Sequence, residues 1–241
     1  NLPYDVVVER LHIEEPEPPA PVTEPEKTFE EVLDEHPVSI QVNGQWQTFP
    51  NAKAAEEASY EEYKANLRRN AKNFRITDEH LGEGGPKAKF QANVNAIRLL
   101  KELEAAGQQA SPEQQEVLSR YVGWGGLSDA FDPEKPAWAL EYAQLKELLT
   151  PEEYAAARSS TLNAHYTSPT VIQAIYEAVD RMGFETGNIL EPSMGVGNFF
   201  GMLPEKMRNS RLYGVELDPV SGRIAKQLYP KADITVGGFE T

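Results

Sequence analysis

The chain has 241 residues, of which 40% are hydrophobic and 25% charged, and its formal net charge is −15. That length can bury a sizeable core in one or two domains. No apolar run is long enough to span a membrane and no charged-then-apolar leader opens the chain. With no cysteine, disulfides, thiolate zinc sites and thiol catalysis are excluded. The pattern fits a cytoplasmic protein. Asn1 and Thr241 read as the ends of a segment cut from a longer polypeptide.

Charge is uneven along the chain. The first 35 residues carry 11 acids against only Arg10 and Lys27. Residues 63–101 reverse this, with nine Lys or Arg against Asp78, Glu79 and Glu83. An acidic chain is a poor nucleic-acid coat, yet a local basic face can still meet phosphates. Arg68, Arg69, Lys72, Arg75, Lys87 and Lys89 are the candidates, and an ordinary solvated helix face is the competing reading.

In chain order, residues 4–13 are β-branched and predict a strand, and residues 14–27 are an acidic, proline-rich linker. Residues 38–49 alternate apolar and polar around Asn43-Gly44, which suits a two-residue hairpin turn with positive φ at both positions. Residues 52–72 predict a helix, residues 81–86 a loop and residues 90–106 an amphipathic helix. Ser111-Pro112-Glu113-Gln114 and Thr150-Pro151-Glu152-Glu153 each carry a helix-starting capping signature. Between them lies Tyr121-Val122-Gly123-Trp124-Gly125-Gly126-Leu127, whose tryptophan reads as a buried helix-closing residue, with stacking on a nucleobase as the alternative. From residue 161 the pattern changes. A helix opened by Ser168-Pro169 is followed by strands at 188–191, 211–218 and 232–236, with helices between them. Such alternation predicts a parallel α/β sheet. The expected organisation is thus residues 1–51 (strand, linker, hairpin), 52–160 (helical) and 161–241 (α/β).

Chemistry concentrates in Glu191-Pro192-Ser193-Met194-Gly195-Val196-Gly197-Asn198-Phe199, between the first strand of the α/β part and its helix. The two glycines allow a tight turn and close approach of a ligand, and the helix start behind them offers free N–H groups. Glu216 ends the next strand, where an acid can accept hydrogen bonds from two ribose hydroxyls. Phe200 stands where a dinucleotide fingerprint needs its third glycine, and no Walker A sequence occurs. The four histidines have no metal-ligand spacing, so no metal site is expected.

That loop resembles the S-adenosyl-L-methionine motif of adenine-specific DNA methyltransferases, a D/E-P-x-x-G-x-G-x-F sequence that wraps the methionine end of the cofactor. His165-Tyr166-Thr167-Ser168-Pro169 is similar to the upstream motif of the same enzymes, which closes over the amino-acid end. Tyr213-Gly214-Val215-Glu216-Leu217-Asp218 is similar to the motif whose acid holds the ribose, and Phe239 falls where an aromatic packs on the cofactor adenine. The resemblance therefore implies a cofactor site made of His165, Tyr166, Thr167, Glu191, Pro192, Ser193, Met194, Gly195, Gly197, Asn198, Phe199, Glu216, Leu217 and Phe239. Residues 73–77, 82–90, 97–104 and 121–127 are similar to segments of large helicase–methylase polypeptides from bacterial mobile elements. The implied fold is a partial Rossmann-like methyltransferase sheet preceded by a mainly helical region. The implied partners are DNA and downstream methylase and helicase domains.

Two departures limit the reading. Gly238 replaces the acid that in the family usually binds the adenine amine. The D/N-P-P-Y/F motif that presents the flipped base is absent, so no catalytic residue is assigned and the segment alone is expected to be inactive. Without the strand that normally flanks it, the first strand of the sheet is expected to be an exposed edge. A non-catalytic DNA-binding or scaffold module on the same fold, and a methyltransferase acting on protein or RNA, are the alternatives.

Overall fold

The computed structural model describes residues 36–240, without the side chains of Lys64 and residues 67–70. The strand and linker expected at residues 4–27 lie outside the described residues. The described residues divide into two units, 36–61 and 62–240.

In the first unit, β1 (Val38–Val42) and β2 (Gln45–Phe49) form an antiparallel hairpin, with Val42 opposite Gln45. Asn43 and Gly44 turn at φ 52° and 74°, as the Asn-Gly pair requires. Asn51 then caps α1 (Ala52–Asn70), its side chain accepting from the Ala54 N–H at 2.8 Å.

The second unit begins with the end of α1. α2 (Pro86–Ala105) starts four residues before the periodicity alone indicates, because Pro86 sets the first helical φ. Its buried stripe is Phe90, Asn93, Val94, Ala96, Ile97, Leu100 and Leu103, in which Asn93 is the single polar residue. α3 (Pro112–Ser119) and α5 (Pro151–Ser160) both open with complete capping boxes, on Ser111/Gln114 and Thr150/Glu153. α4 (Ala139–Leu148) has no such start signal and buries only Leu145, which is why its sequence does not announce it. Trp124 is buried among Phe90, Tyr121 and Phe131 in edge-on contacts, so it is a core residue.

The α/β part begins with α6 (Pro169–Arg181). Ser168 sits at its cap but makes no capping hydrogen bond there. β3 (Asn188–Glu191), β4 (Arg211–Glu216) and β5 (Asp233–Val236) form a parallel sheet in that order. Asn188 pairs with Arg211, and Tyr213 with Asp233. Among the described residues β3 has no neighbour on its outer side. α8 (Pro219–Leu228) is capped by Asp218, which accepts from the Ser221 N–H at 2.7 Å, and it packs Ile224, Ala225 and Leu228 into the core.

Within the second unit the helices from α2 onward and the sheet share one core, which runs from Phe90 through Trp124 and Tyr154 to Ile172, Val196, Ile224 and Ile234. Backbone hydrogen bonds join the parts too. The Phe74 N–H donates to the Leu228 carbonyl (2.7 Å) and the Ile76 N–H to that of Gly201 (3.0 Å). The result is a mixed α/β unit with a small three-stranded parallel sheet, consistent with part of a Rossmann-like fold.

Candidate functional site

A cleft of about 520 Å³ opens at the carboxyl ends of β3 and β4. This is where parallel sheets present their ligands, and the volume lies within the range of small-molecule sites. One wall is the loop after β3, with Glu191, Ser193, Met194, Gly195, Asn198 and Phe199. Glu216 and Leu217, at the end of β4, line it as well. His165, Tyr166 and Thr167 close another side. Three further residues expected at the site fall elsewhere. Pro192 and Phe239 do not line the cleft, and Phe239 is 62% exposed. Gly197 lies beneath the loop at φ 84°, and a Cβ there would stand 2.5 Å from the Tyr229 ring. Its smallness serves packing. Met194 reaches the cleft but is mostly buried, its sulfur filling the space left by Gly214.

The helix expected behind the loop is present, but it is short. α7 (Asn198–Gly201) is one turn long, ended by the Leu203-Pro204 corner that follows, so it offers no substantial helix dipole to a ligand. The loop instead holds itself to the sheet. The Met194 N–H donates to the Val215 carbonyl at 3.1 Å. The Gly195 N–H donates to Glu216 Oε2 at 2.6 Å, and the Asp218 N–H to Glu216 Oε1 at 2.7 Å. Each carboxylate oxygen can accept twice, so Glu216 retains acceptor capacity for a hydroxyl donor.

Two acids share the floor. Burial, and then the nearby charge of Glu216, push the Glu191 carboxyl up to about 8. Its Oε2 is buried with no hydrogen-bond partner. Burial raises Glu216 too, and the N–H groups of Asp218 and Gly195 oppose that rise. The Tyr166 hydroxyl lies 3.1 Å from Ser221 Oγ, and burial pushes its phenol well above the usual tyrosine range. A buried carboxylate oxygen without a partner, beside a second acid with spare acceptor capacity, suits a ligand that brings a cation and a hydroxyl.

The remaining wall was not marked in advance. Tyr121, Gly123, Ser159 and Ser160 come from the helical part of the chain, and Asn163 from the turn just after it. The first two belong to the glycine-rich sequence at 121–127, which carries no chemistry that composition reveals, and the other three carry no motif. An adjoining hollow of about 270 Å³ shares Tyr121, His165, Tyr166, Thr167 and Asn198 and has Lys89 at its edge.

Other basic candidates do not converge on this cleft. Lys87 pairs with Glu141 (2.6 Å), donates to the Ala137 carbonyl and lies over the Trp138 ring. Arg75 donates to the Leu203 carbonyl at 2.5 Å. Lys72 precedes the segment that contacts α8, and the side chains of Arg68 and Arg69 lie outside the described ones. Among the described residues no cluster of three potential metal ligands occurs, and no helix is long and apolar enough to cross a membrane.

Comparison with known proteins gives two informative similarities. The chain is 25% identical over 159 residues to the Defense against restriction protein B of Escherichia phage P1, covering 66% of this chain and 6% of that protein. It is 43% identical over 58 residues to the Type II methyltransferase M.CvrRI of Paramecium bursaria Chlorella virus XZ-6E, covering 24% of this chain and 15% of that protein. The chain thus spans only a small part of the length of either relative. No family model matches it, and no solved structure matches it. A sequence relationship to a methyltransferase, over a short stretch, is what these similarities establish.

Proposed function

We propose that this chain is the cofactor-binding portion of an S-adenosyl-L-methionine-dependent, adenine-specific DNA methyltransferase, within a larger helicase–methylase polypeptide. The observation that carries the reading is the Glu191–Gly195–Glu216 cluster. Its unpartnered carboxylate oxygen and spare acceptor capacity match what this cofactor offers. The similarity to a type II methyltransferase agrees with it, and a relative named for defence against restriction makes DNA the acceptor class to expect.

In this reading Glu191 accepts from the cofactor's ammonium group and Glu216 from a ribose hydroxyl. Ser193, Gly195 and Asn198 hold the turn between them. His165, Tyr166 and Thr167 shield the amino-acid end, and Leu217 lies beside the base. When bound, the cofactor supplies an electrophilic methyl group on a sulfonium. The residues of this chain bind and orient it and exclude water, whereas presenting the acceptor amine belongs to a motif that this sequence does not contain. Arg68, Arg69, Lys72 and Lys89 remain candidates for phosphate contact.

A non-catalytic module on the same fold is the second reading. It is favoured by Gly238, in place of an acid, and by the exposure of Phe239 away from the cleft. Calorimetric titration of S-adenosylmethionine separates the two. The expected result is a saturable isotherm that Glu216→Gln weakens by about 1 kcal/mol or more, as a hydrogen bond at a ribose is lost. Absence of binding by the folded protein would leave the non-catalytic reading standing.

A further inference from the structure

The Tyr166 ring spans the gap between two glycines. At Gly195 (φ 57°) a Cβ would stand 2.8 Å from Tyr166 Cε1, and at Gly123 (φ 70°) a Cβ would stand 2.5 Å from Cε2. The ring is therefore wedged by its two edges, with the cofactor loop on one side and the glycine-rich loop of the helical part on the other. Its hydroxyl is held by Ser221. No methyl group fits at either contact without moving the ring.

The Gly123 side of the wedge is itself fixed. Asn93 is completely buried in α2, and both ends of its amide serve one turn of chain. Nδ2 donates to the Gly123 carbonyl at 2.6 Å, and Oδ1 accepts from the Val122 N–H at 2.9 Å. Next to this turn, Tyr121 stacks edge-on against Tyr166, with ring centres 6.4 Å apart. A polar side chain in an apolar stripe is costly unless its bonds are satisfied, and here they are spent on the peptide that touches Tyr166. The glycine-rich sequence at 121–127 thereby acquires a role.

We propose that Asn93 and Gly123 are positioning residues of the cofactor cleft: Asn93 pins the 122–123 turn, the turn seats Tyr166 against Gly195, and the seating sets affinity for S-adenosylmethionine. This rests on the cofactor reading above. It makes the helical part of the chain a component of the binding site.

A double-mutant cycle on the full chain tests it, with S-adenosylmethionine as the probe in calorimetry and circular dichroism confirming the fold. Gly123→Ala and Asn93→Ala are each expected to weaken binding by about tenfold, and each to change it less than about twofold when Tyr166→Leu is already present, because the ring they act through is gone. The destabilisation caused by Asn93→Ala persists in both backgrounds, so stability and affinity separate. Folded single variants that keep wild-type affinity overturn the proposal, as do losses that simply multiply in the double variants. Should Gly123→Ala fail to fold, the Asn93→Ala arm gives the same decision. A folded wild type that does not bind overturns the cofactor reading and this inference together; a wild type that binds while the cycle shows no coupling overturns this inference alone.

Discussion

Glu191 is the residue whose chemistry differs most from what its position in a sequence reveals. A carboxyl that titrates near 8 in the folded chain and at the usual 4.5 when unfolded binds more protons in the folded state between those values. Stability conferred by this group is therefore complete below about pH 4.5, falls as pH rises towards 8 and is flat beyond. Glu191→Gln should remove that slope and raise the midpoint of thermal unfolding above pH 8, and unfolding scans from pH 4 to 9 would show it. A wild type whose stability is flat across that window would contradict the assignment. The same proton reports on the ligand. An ammonium group placed beside Glu191 would favour the charged carboxylate, so binding near pH 7 should release up to about one proton. Calorimetry in two buffers of different ionisation enthalpy measures this directly, and identical apparent enthalpies would mean that no cation meets Glu191. The sequence placed Glu191 and Glu216 at strand ends. It could not show that Glu216 is already engaged by backbone N–H groups while Glu191 Oε2 has no partner, because that depends on how the loop after β3 folds back onto β4.

Elements whose start signals are local were legible. The Asn43-Gly44 turn, the boxes at Ser111 and Thr150, and the cap at Asp218 form from residues within three or four positions of one another. α4, which lacks such a signal, was missed, and α7 proved too short to act as a helix terminus. What local pattern does not carry is the second use of a local residue. Glu153 completes the capping box of α5, with Oε2 accepting from the Thr150 N–H at 3.0 Å. The same carboxylate takes Lys101 of α2 at 2.8 Å and pairs with Arg223 of α8. Burial opposes its charge, but the bonds from Lys101, Thr150 and Arg223 prevail and hold the carboxyl below its usual range. Glu153→Gln preserves the box and removes the charge from a junction of three helices. It should cost about 1–3 kcal/mol at neutral pH, as for charge-assisted hydrogen bonds. The penalty should shrink as pH falls through the carboxylate range, since the wild-type residue then loses its charge as well. Urea unfolding at pH 7 and pH 3.5 checks both parts, and an equal penalty at the two pH values would rule out the ionic explanation.

At the scale of the whole molecule, the change of pattern near residue 161 suggests a boundary, yet residues 62–240 share one core and one set of cross-connections. Gln115 of α3 donates to the carbonyls of Gln227 and Leu228 at the end of α8, and Gln227 Oε1 accepts from the Ala110 N–H at 2.8 Å. Asn73 Oδ1 accepts from the Lys231 N–H at 3.0 Å, just before β5. A sheet of three short strands, with β3 unpaired on one side among the described residues, has little means of standing alone. The helix that packs on β4 and β5 is α8, which lies between them in sequence, and α8 in turn packs on α2, α3 and α5, which precede the sheet. Such long-range complementarity is invisible to periodicity, which records that a face is apolar and not what it meets. The consequence is a single cooperative opening. In hydrogen exchange under native conditions, amides of Val94, Ile97 and Leu100 in α2 and those of Leu212, Gly214 and Ile224 in the α/β part should report the same opening free energy to within about 1 kcal/mol. If β4 exchanged through an opening several kcal/mol easier than that of α2, the sheet would be an independent domain leaning on the helices. In that case the seating of Tyr166 between Gly123 and Gly195 would be a contact made after folding and not part of the core that folding builds.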